Sequence, residues 1–554
     1  MKSRPFPLRS WAPAFWVCGV CSLLLASDPI PVVRDPSLQV RLLAKGPAES
    51  QIVRVSKDPR NGRLYFATLG GGLYRLDLRP GWGTSVSTRV AGTGDHGQDY
   101  LGGFDIAPNG DFFLVGNAHS GPENEFTAAQ VMRGEVVAPG SERRRWTLVA
   151  RTEPYPSSKS AFDHVVSGLE VSPDGTTIYL NSGSRTDHGE VQSGDGAFPG
   201  VREVPLTARI LRVPAGASGM VLPNNLELLI RDGRIFCEGI RNAYDLRFAP
   251  DGKLFGSENG PDRDMSEEIN WLREGRHYGF PWRIGGEDNP QQFPDYDPDS
   301  DPLLDDRFNA VREGYFRNDP TFPSPAAVFT EPIRNLGPDA DKFRDPVSGG
   351  ILDASDLGRS LGTLTAHRSP MGLVFDERGV LGPPYRGDAF LVSWTAGDPQ
   401  GTGLPGPFLD SGQDLVHVRL RPVADNFEAE IRQLVTGFRN PIDTEILGNR
   451  IIVVCYGGER SIWEITFPVE ERLELSDPTL GGDGFGFTIR GALGGPYAVE
   501  RTADLLHWEV LDLVSLDSAE GSFLDRTTTR GEAGETLYYR VVPLLAAQVA
   551  PGRP

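Results

Sequence analysis

Positive charge is scarce in this chain. Its 554 residues include 55 lysines and arginines against 75 aspartates and glutamates, which gives a formal net charge of −20. A surface of that sign repels nucleic acids and anionic membranes, so we expect neither as a partner. Lysine is absent altogether after Lys342. From there on, any anionic ligand would have to be held without lysine.

Cysteine is almost as rare. Two of the four cysteines, Cys18 and Cys21, lie in the first 27 residues as C-G-V-C-S, which lacks the histidine of a haem-attachment motif. Cys237 and Cys455 lie among apolar residues. A disulfide between them is conceivable in an oxidising compartment, but their apolar surroundings favour two buried free thiols.

A long apolar run occurs only at the N-terminus. Residues 1–27 begin with Lys2, Arg4 and Arg9, continue with an apolar stretch through Ala26 and end in small residues. This is the outline of a secretory signal peptide and is short for a spanning helix. We expect a secreted or periplasmic protein with no membrane span after cleavage; an uncleaved anchor is the alternative.

Glycine and proline are abundant, at 66 and 46 residues, and they punctuate a repeated pattern. An apolar run, a tight polar turn containing glycine and a second apolar run recur six times, at 53–69, 102–118, 167–183, 244–260, 371–394 and 441–458. Asn-Gly and Asp-Gly between alternating apolar residues are strong hairpin signals. Six such units predict an all-β, six-bladed β-propeller over residues 38–467, with a long insertion at about 281–366. A β-sandwich would not explain the repetition.

The pattern changes near residue 470. Segments such as FGFTIRG, PYAVERTADLLHWEVLD and ETLYYRVVPLL alternate apolar and polar residues with the spacing of a small β-sandwich. We predict such a module over residues 470–548. It resembles the fibronectin-like modules appended to secreted bacterial proteins, which favours an accessory role.

Candidate reactive residues lie beside the hairpins, where propeller loops surround the central channel. Asp163 and His164 precede the third hairpin, and a second Asp-His pair with His188 follows it in SRTDHGE. A neutral histidine can accept a proton from an alcohol near neutral pH, with a carboxylate to orient it. Gln98, before the second hairpin, could bind substrate hydroxyls.

The fourth hairpin carries residues that could bind an anion and residues that could bind a cation. Arg241 and Asn242 open it, and arginine can pair bidentately with a carboxylate. Gly260 and Pro261 close its second strand, and carbonyl oxygens in such a turn suit a hard cation such as Ca²⁺. A plain Asn-Gly-Pro turn without any ligand is the alternative.

Together these motifs resemble one family, the soluble quinoprotein glucose dehydrogenases and the related aldose/sorbosone dehydrogenases. The resemblance rests on D-H-x-x-S-G at Asp163–Gly168, R-N-x-x-x-L-x-F-x-P-D-G at Arg241–Gly252 and S-E-x-G-P…E-I-N…G-x-x-Y-G-x-P-W at Ser257–Trp282. HRSPMGLVF at 367–375 matches the sorbosone side of the family. The family fold is a six-bladed propeller that uses pyrroloquinoline quinone (PQQ) and Ca²⁺.

The resemblance implies a role for each candidate. His164 would be the general base while hydride passes from an aldose to PQQ. Gln98, Asp163 and His188 would contact substrate; Arg241, Asn242 and Arg439 would contact the cofactor; and Gly260 and Pro261 would bind Ca²⁺. A sugar and an unidentified electron acceptor would be the partners.

The chain departs from the glucose enzymes at three points. Ser184 stands where those enzymes carry an aspartate after the strand, the fifth-blade stretch LVSWTAG has no lysine, and Arg439 lacks a second arginine beside it. We therefore keep two alternatives: a cofactor-free propeller that binds glycans or proteins, and a Ca²⁺-dependent lactonase-like hydrolase. Arg185, Arg241 and Arg439 clustered over the Gly-Pro turn would favour the dehydrogenase.

Overall fold

Six mainly antiparallel sheets dominate the structure. The computed structural model describes residues 28–78, 85–138, 140–325, 327–395, 408, 410, 412–468, 473–491, 494–516, 520–528 and 536–543. The predicted signal peptide at residues 1–27 lies outside them. No helix in these ranges is long and apolar enough to cross a membrane.

Each sheet is a blade numbered in chain order, with its innermost strand first. Blade 1 has strands Ile52–Lys57, Leu64–Thr68, Leu73–Asp77 and Val86–Ala91. Blade 2 has Leu101–Ile106, Phe112–Ser120, Phe126–Val136 and Arg144–Thr152, joined by Tyr155–Pro156 and Met220–Leu222. Blade 3 has Val166–Val171, Thr177–Ser182, Arg209–Pro214 and Ile235–Glu238.

The second half of the ring follows the same plan. Blade 4 has Ala243–Phe248, Leu254–Glu258 and Glu268–Leu272. Blade 5 has Pro370–Phe375, Ala389–Ser393, Asp414–Val423 and Asn426–Thr436, with Val32–Val33 and Arg334–Pro338 outside. Blade 6 has Pro441–Leu447, Arg450–Cys455, Ser461–Thr466 and Gln39–Lys45.

The blades form a closed ring. The inner strand of each blade contacts that of the next, and the inner strand of blade 6 contacts that of blade 1. Blade 6 takes its outermost strand, Gln39–Lys45, from the N-terminal side of blade 1 and pairs it with Ser461–Thr466. Strand pairing between the two ends of the ring ties it shut. The all-β prediction of a six-bladed propeller is confirmed.

Glycines near the start of inner strands have a packing reason. A Cβ on Gly103 would lie 2.7 Å from the Ser167 carbonyl oxygen, and one on Gly372 would lie 2.6 Å from the Asp443 Cα. Neighbouring inner strands therefore approach too closely for a side chain at these positions. This explains why glycine recurs at the start of repeats such as GGFDIAP and MGLVFDE.

Buried carboxylates join neighbouring blades across the ring. The Asp105 carboxylate accepts the Val171 N–H at 2.9 Å, and Asp443 likewise accepts the Val55 N–H at 2.8 Å. Asp245 and Glu170 make the same kind of bond to the blade that follows theirs. These bonds tie four of the six pairs of neighbouring inner strands together, as expected for inner strands that run parallel around the ring.

Arg54 crosses the central channel. From blade 1 its guanidinium donates to the carbonyl oxygens of Gly102 at 3.0 Å, Ser167 at 3.0 Å and Tyr244 at 2.6 Å, which belong to blades 2, 3 and 4. The same guanidinium lies 3.8 Å above the Tyr244 ring. This side chain narrows the channel and ties four blades together.

The predicted insertion is mostly loop. It contains two small hairpins, Arg283–Ile284 with Glu287–Asp288 and Lys342–Arg344 with Ile351–Asp353. The described helices are short: Thr93–His96, Leu226–Arg231 and Asn309–Arg312, with 3₁₀ turns at Pro290–Gln292, Pro298–Ser300 and Ser355–Leu357. Cys237 and Cys455 are buried free thiols.

The C-terminal segment forms two three-stranded sheets. One holds Glu474–Gly481, Gly484–Arg490 and Glu520–Asp525; the other holds Glu509–Leu516, Gly494–Thr502 and Tyr538–Pro543. Phe487 and Phe523 of the first sheet share an apolar core with Val499 and Leu516 of the second. This is the predicted β-sandwich.

Candidate functional site

The candidate residues share one face of the ring. Because the inner strands run parallel, residues directly before them lie at the same face. The second strand of each blade runs antiparallel to the inner strand, so residues directly after a second strand lie at the face where the inner strands begin. The first group is Gln98, His164, Arg241, Asn242, His367 and Arg439; the second includes Gly260 and Pro261.

His164 is held with one ring nitrogen unused. Its Nδ1 lies 3.2 Å from the Ser184 carbonyl oxygen and 3.3 Å from Ser184 Oγ, whose hydroxyl donates to the Thr186 carbonyl. A carbonyl only accepts, so Nδ1 carries the proton and Nε2 is the basic nitrogen. Nε2 has no hydrogen-bond partner among the described residues. Ser184 therefore orients His164, largely through its main chain.

The surroundings of His164 keep it neutral. Burial, followed by the nearby Arg241 guanidinium, lowers the pKa of His164 from 6.5 to about 3. Both effects disfavour the imidazolium. Nε2 is consequently unprotonated, with its lone pair available, across the whole neutral range.

Asp163 faces away from its histidine neighbour. Its carboxylate accepts the Ser157 hydroxyl at 2.5 Å and the Ser158 N–H at 3.2 Å. Burial raises the pKa of Asp163 despite these bonds. The side chain closes a local turn at the edge of the site.

The second Asp-His pair is buried and fully engaged. His188 Nδ1 lies 2.9 Å from the Asp187 carboxylate, Nε2 lies 3.3 Å from Gln291 Oε1, and the ring stacks on Phe316 at 3.7 Å. Although burial opposes its charge, Glu190 and Asp187 raise the pKa of His188. Neither nitrogen of His188 is left for a ligand in this arrangement.

Arg241 is bound to the same aspartate. It donates from Nη2 to the Asp187 carboxylate at 2.9 Å, from Nε to the Asp187 carbonyl at 2.7 Å and from Nη1 to the Asn259 carbonyl at 3.1 Å. Asn242 donates to Asn259 Oδ1 at 2.9 Å and accepts from Asn181 at 3.1 Å. Arg241 therefore sets the positions of the 187 loop and the turn before Gly260.

Arg185 is a structural clamp. It is fully buried, at 0% exposure. Its guanidinium donates to five main-chain carbonyls, those of Pro156, Val201, Arg202, Ser157 and Gln192. Burial lowers the pKa of Arg185. Its donors tie the loop of residues 185–203 to the segment at Pro156 and Ser157, so Arg185 offers nothing to an anionic ligand.

The turn at Gly260 and Pro261 presents two main-chain oxygens. Neither carbonyl accepts a hydrogen bond from any residue that the structure describes. The Gly260 N–H donates to Glu267 Oε1 at 3.3 Å, which packs the Glu267 carboxylate against the turn. Burial raises the pKa of Glu267 to about 7. Two open carbonyls beside a buried carboxylate are the oxygen ligands that Ca²⁺ accepts.

Acidic groups surround this turn. The Asp262 N–H lies 3.1 Å from the Asp187 carboxylate, and the Asp262 carboxylate accepts the Ala310 N–H at 2.8 Å. Burial, followed by repulsion from Asp187, raises the pKa of Asp262 to about 6. His367 Nε2 lies 2.8 Å from Asp264 and its ring stacks on Phe308. The pKa of His367 is raised by Asp264 against the effect of burial.

The two remaining candidates lie on other blades. Gln98 on blade 2 is buried and donates to Gln130 Oε1 at 3.0 Å. Arg439, before blade 6, is exposed, and its guanidinium has no partner among the residues described. Of the three arginines whose clustering would favour a dehydrogenase, only Arg439 is therefore uncommitted.

Sequence reasoning missed four contributors: the Ser184 carbonyl, Asp262, Glu267 and His367. Asp262 and Glu267 stand in the same GPDRDMSEEIN stretch as the Gly-Pro turn, so their proximity in sequence was an available signal. His367 directly precedes an inner strand, as His164 does, and position alone could have marked it. A carbonyl that orients a histidine leaves no signal in the sequence.

A family comparison covers the blades that carry most of these groups. Residues 102–300 match the family described as Glucose / Sorbosone dehydrogenase. The chain is glucose/sorbosone dehydrogenase-like over this stretch. The match includes His164, Arg241 and the Gly260–Pro261 turn, and it confirms the resemblance and the assignment as a dehydrogenase-like oxidoreductase. No match was found among curated protein sequences.

Solved structures similar to this chain have low identity to it. The PQQ-bound aldose sugar dehydrogenase of Streptomyces coelicolor is 16% identical, with a TM-score of 0.42 over 78% of this chain and 99% of that one. The soluble aldose sugar dehydrogenase of Escherichia coli, in apo form, is 14% identical, with a TM-score of 0.46 over 78% and 100%. The PQQ domain of Coprinopsis cinerea pyranose dehydrogenase, in holo form, is 13% identical, with a TM-score of 0.47 over 79% and 98%.

The residues present fit a hard cation at the Gly-Pro turn better than they fit a free anion. No group of three or more His, Cys, Asp or Glu side chains forms a metal cluster in the described ranges, so main-chain oxygens are the available ligands there. Arg241 is balanced by Asp187, and Asp262 adds negative charge. An anionic quinone therefore fits this face together with a cation, with Arg439 as a further positive group.

Proposed function

We propose that this protein is a secreted or periplasmic quinoprotein-type sugar dehydrogenase. His164 is the base, and the Gly260 and Pro261 carbonyls hold Ca²⁺. The observation that carries the proposal is the state of His164: Nδ1 is bonded to the Ser184 carbonyl, and Nε2 is unprotonated and unpartnered among the described residues. The family match supports a sugar as the substrate class.

His164 is suited to remove the proton of a sugar hydroxyl. As Nε2 accepts that proton, the C–O bond gains double-bond character and the carbon releases its hydrogen as hydride. PQQ, when bound, supplies the two-electron acceptor for that hydride. Protonation of His164 is disfavoured in the resting state, and the Asp187 carboxylate stabilises the imidazolium that forms.

The other residues hold the face in shape. Arg241 fixes the Asp187 loop and the Asn259 carbonyl, directly before the Gly-Pro turn. His188, stacked on Phe316, supports the same loop. Gln98 and Asp163 support the face from blades 2 and 3 through their bonds to Gln130 and to Ser157 and Ser158. An external electron acceptor would then reoxidise the enzyme.

Reconstitution tests this function. Purified protein is mixed with PQQ and Ca²⁺, and dye reduction is measured with a panel of aldoses. We expect activity with at least one aldose and a slower rate with the sugar deuterated at C1. His164→Ala should lose about 10²–10⁴-fold in kcat while still binding PQQ, because a positioned general base contributes that much. His507→Ala, an exposed histidine of the C-terminal module, is the matched control.

A cofactor-free propeller that binds glycans is the second candidate, and one observation favours it. All the N–H groups of the Arg185 guanidinium donate to main-chain carbonyls, and the charge of Arg241 is neutralised by Asp187. Few positive charges then remain for a cofactor with several carboxylates. Absence of PQQ binding by calorimetry in the presence of Ca²⁺, with retained glycan binding, would decide for this candidate.

A further inference from the structure

Beside the Gly-Pro turn lies a carboxylate oxygen without a partner. Glu267 is 2% exposed, and its Oε1 accepts the Gly260 N–H at 3.3 Å. Its Oε2 is buried and has no donor at hydrogen-bonding geometry among the described residues, although the Ser369 N–H also lies near this carboxylate. A buried polar atom without a hydrogen bond lowers the stability of the fold unless a ligand binds it, so this oxygen requires an explanation.

The contact between Glu267 and the turn is close. A Cβ placed on Gly260 would lie 3.2 Å from Glu267 Cγ and less than 4 Å from the carbonyl oxygens of Met265 and Ser266. The chain between 260 and 267 thus folds back on itself. This return places a side-chain carboxylate against Gly260, the first of the two residues whose carbonyls accept no hydrogen bond from the described residues.

Two carboxylates near this turn have no ion-pair partner among the described residues. Asp187 is paired with Arg241 and His188, and Asp264 with Arg344 and His367. The carboxylates of Asp262 and Glu267 instead accept the N–H groups of Ala310 and Gly260. A divalent cation at the turn would offset these two carboxylates.

We propose that Glu267 supplies a carboxylate oxygen to a Ca²⁺ ion that is also bound by the Gly260 and Pro261 carbonyls. Ca²⁺ accepts irregular sets of carboxylate and main-chain oxygens, which this turn provides; Mg²⁺ requires a near-octahedral set. With its own carboxylate ligand the protein binds the cation without the quinone. The proposal deepens the proposed function and rests on its assignment of the Gly-Pro turn.

A carboxylate ligand also sets an order of binding. Without the cation, a quinone carboxylate at this turn would be repelled by the carboxylates of Asp262 and Glu267, which have no ion-pair partner among the described residues. With the cation in place the same carboxylate meets a positive centre. Cation first and quinone second is the order that these charges favour, and it compensates for the absence of a lysine on blade 5.

The test is Ca²⁺ binding by the full-length mature protein, freed of metal by chelation and studied without quinone. Isothermal titration calorimetry and Tb³⁺ luminescence follow binding, and circular dichroism follows folding. We expect saturable binding by the native protein and at least a tenfold loss of affinity in Glu267→Gln. Glu203→Gln is the matched control, because both Glu203 oxygens already accept hydrogen bonds from Thr186, Thr207 and the Arg185 N–H. It should bind Ca²⁺ like the native protein.

Two results would overturn the proposal: no Ca²⁺ binding by the native protein, or equal affinity in Glu267→Gln. If Glu267→Gln does not fold, Glu267→Asp replaces it, since the shorter side chain keeps the charge but withdraws the oxygen; unchanged affinity would then reject Glu267 as a ligand. Ca²⁺ binding without PQQ-dependent dye reduction would reject the dehydrogenase function and leave this cation site standing.

Discussion

The neutral state of His164 can be tested without any activity. We expect its imidazole to stay unprotonated from pH 8 to pH 5, with the proton on Nδ1, because burial and Arg241 lower its pKa to about 3. A drop of that size from 6.5 corresponds to about 5 kcal/mol against the imidazolium. At pH 5 only about 1% of the molecules would then carry the charge.

Nuclear magnetic resonance of histidine-labelled protein measures this directly. Eight histidines give eight Cε1–Hε1 signals, and the signal lost in His164→Gln is that of His164. Its shift should remain constant between pH 8 and pH 5. His507, exposed and paired with Asp504, has a raised pKa and should titrate above pH 6.5 in the same sample. A His164 midpoint above pH 5 would refute the assigned environment.

The same histidine makes stability depend on pH in a stated direction. Its folded pKa lies below its unfolded value, so the unfolded chain takes up a proton that the folded protein resists. The destabilisation begins below pH 6.5 and grows as the pH falls towards 3. Between pH 7 and pH 5 it amounts to about 2 kcal/mol. Between pH 7 and pH 5, the free energy of unfolding in urea should fall by about 2 kcal/mol less in His164→Gln than in the native protein. An identical fall in both proteins would contradict the reasoning.

Three further outcomes are expected. Arg185→Met should lower the free energy of unfolding in urea by about 3–5 kcal/mol, since it strands five carbonyls, and a loss below about 1 kcal/mol would contradict the clamp. Asp443→Ala should lower it by about 2–4 kcal/mol, because the Val55 N–H loses its partner at the closure of the ring; no change in the urea midpoint would count against that closure. Cys237 and Cys455 should resist a thiol reagent in the native protein and react once it is unfolded; rapid native reaction would show that they are accessible.

The repeat was readable from the sequence because each blade satisfies its hydrogen bonds locally. An Asn-Gly or Asp-Gly turn between alternating apolar residues specifies a hairpin without reference to the rest of the chain. Six copies then predict the ring. The fourth and outermost strand of blade 6 could be assigned only from the tertiary structure, because Gln39–Lys45 pairs with Ser461–Thr466 across more than 400 residues.

The candidate site divides in the same way. Sequence motifs identified the residues before the inner strands, among them His164 and Arg241. They also identified the Gly260–Pro261 turn. What each group bonds to could not be named, because the partners come from other loops. Asp187 meets Arg241 from 54 residues away, although its own neighbour in sequence is a histidine. Arg185 could equally well have faced a ligand.

The sequence by itself thus determined the strand repeats, the acidic character, and the identity of the histidine and the Gly-Pro turn. Only the tertiary structure decided which groups remain free to act. His164 keeps Nε2 because the Ser184 carbonyl engages Nδ1, whereas His188 has both nitrogens engaged. Glu267 keeps an oxygen because the chain returns beneath Gly260. Hydrogen bonds between blades depend on the positions of several loops at once, and no local sequence pattern predicts them.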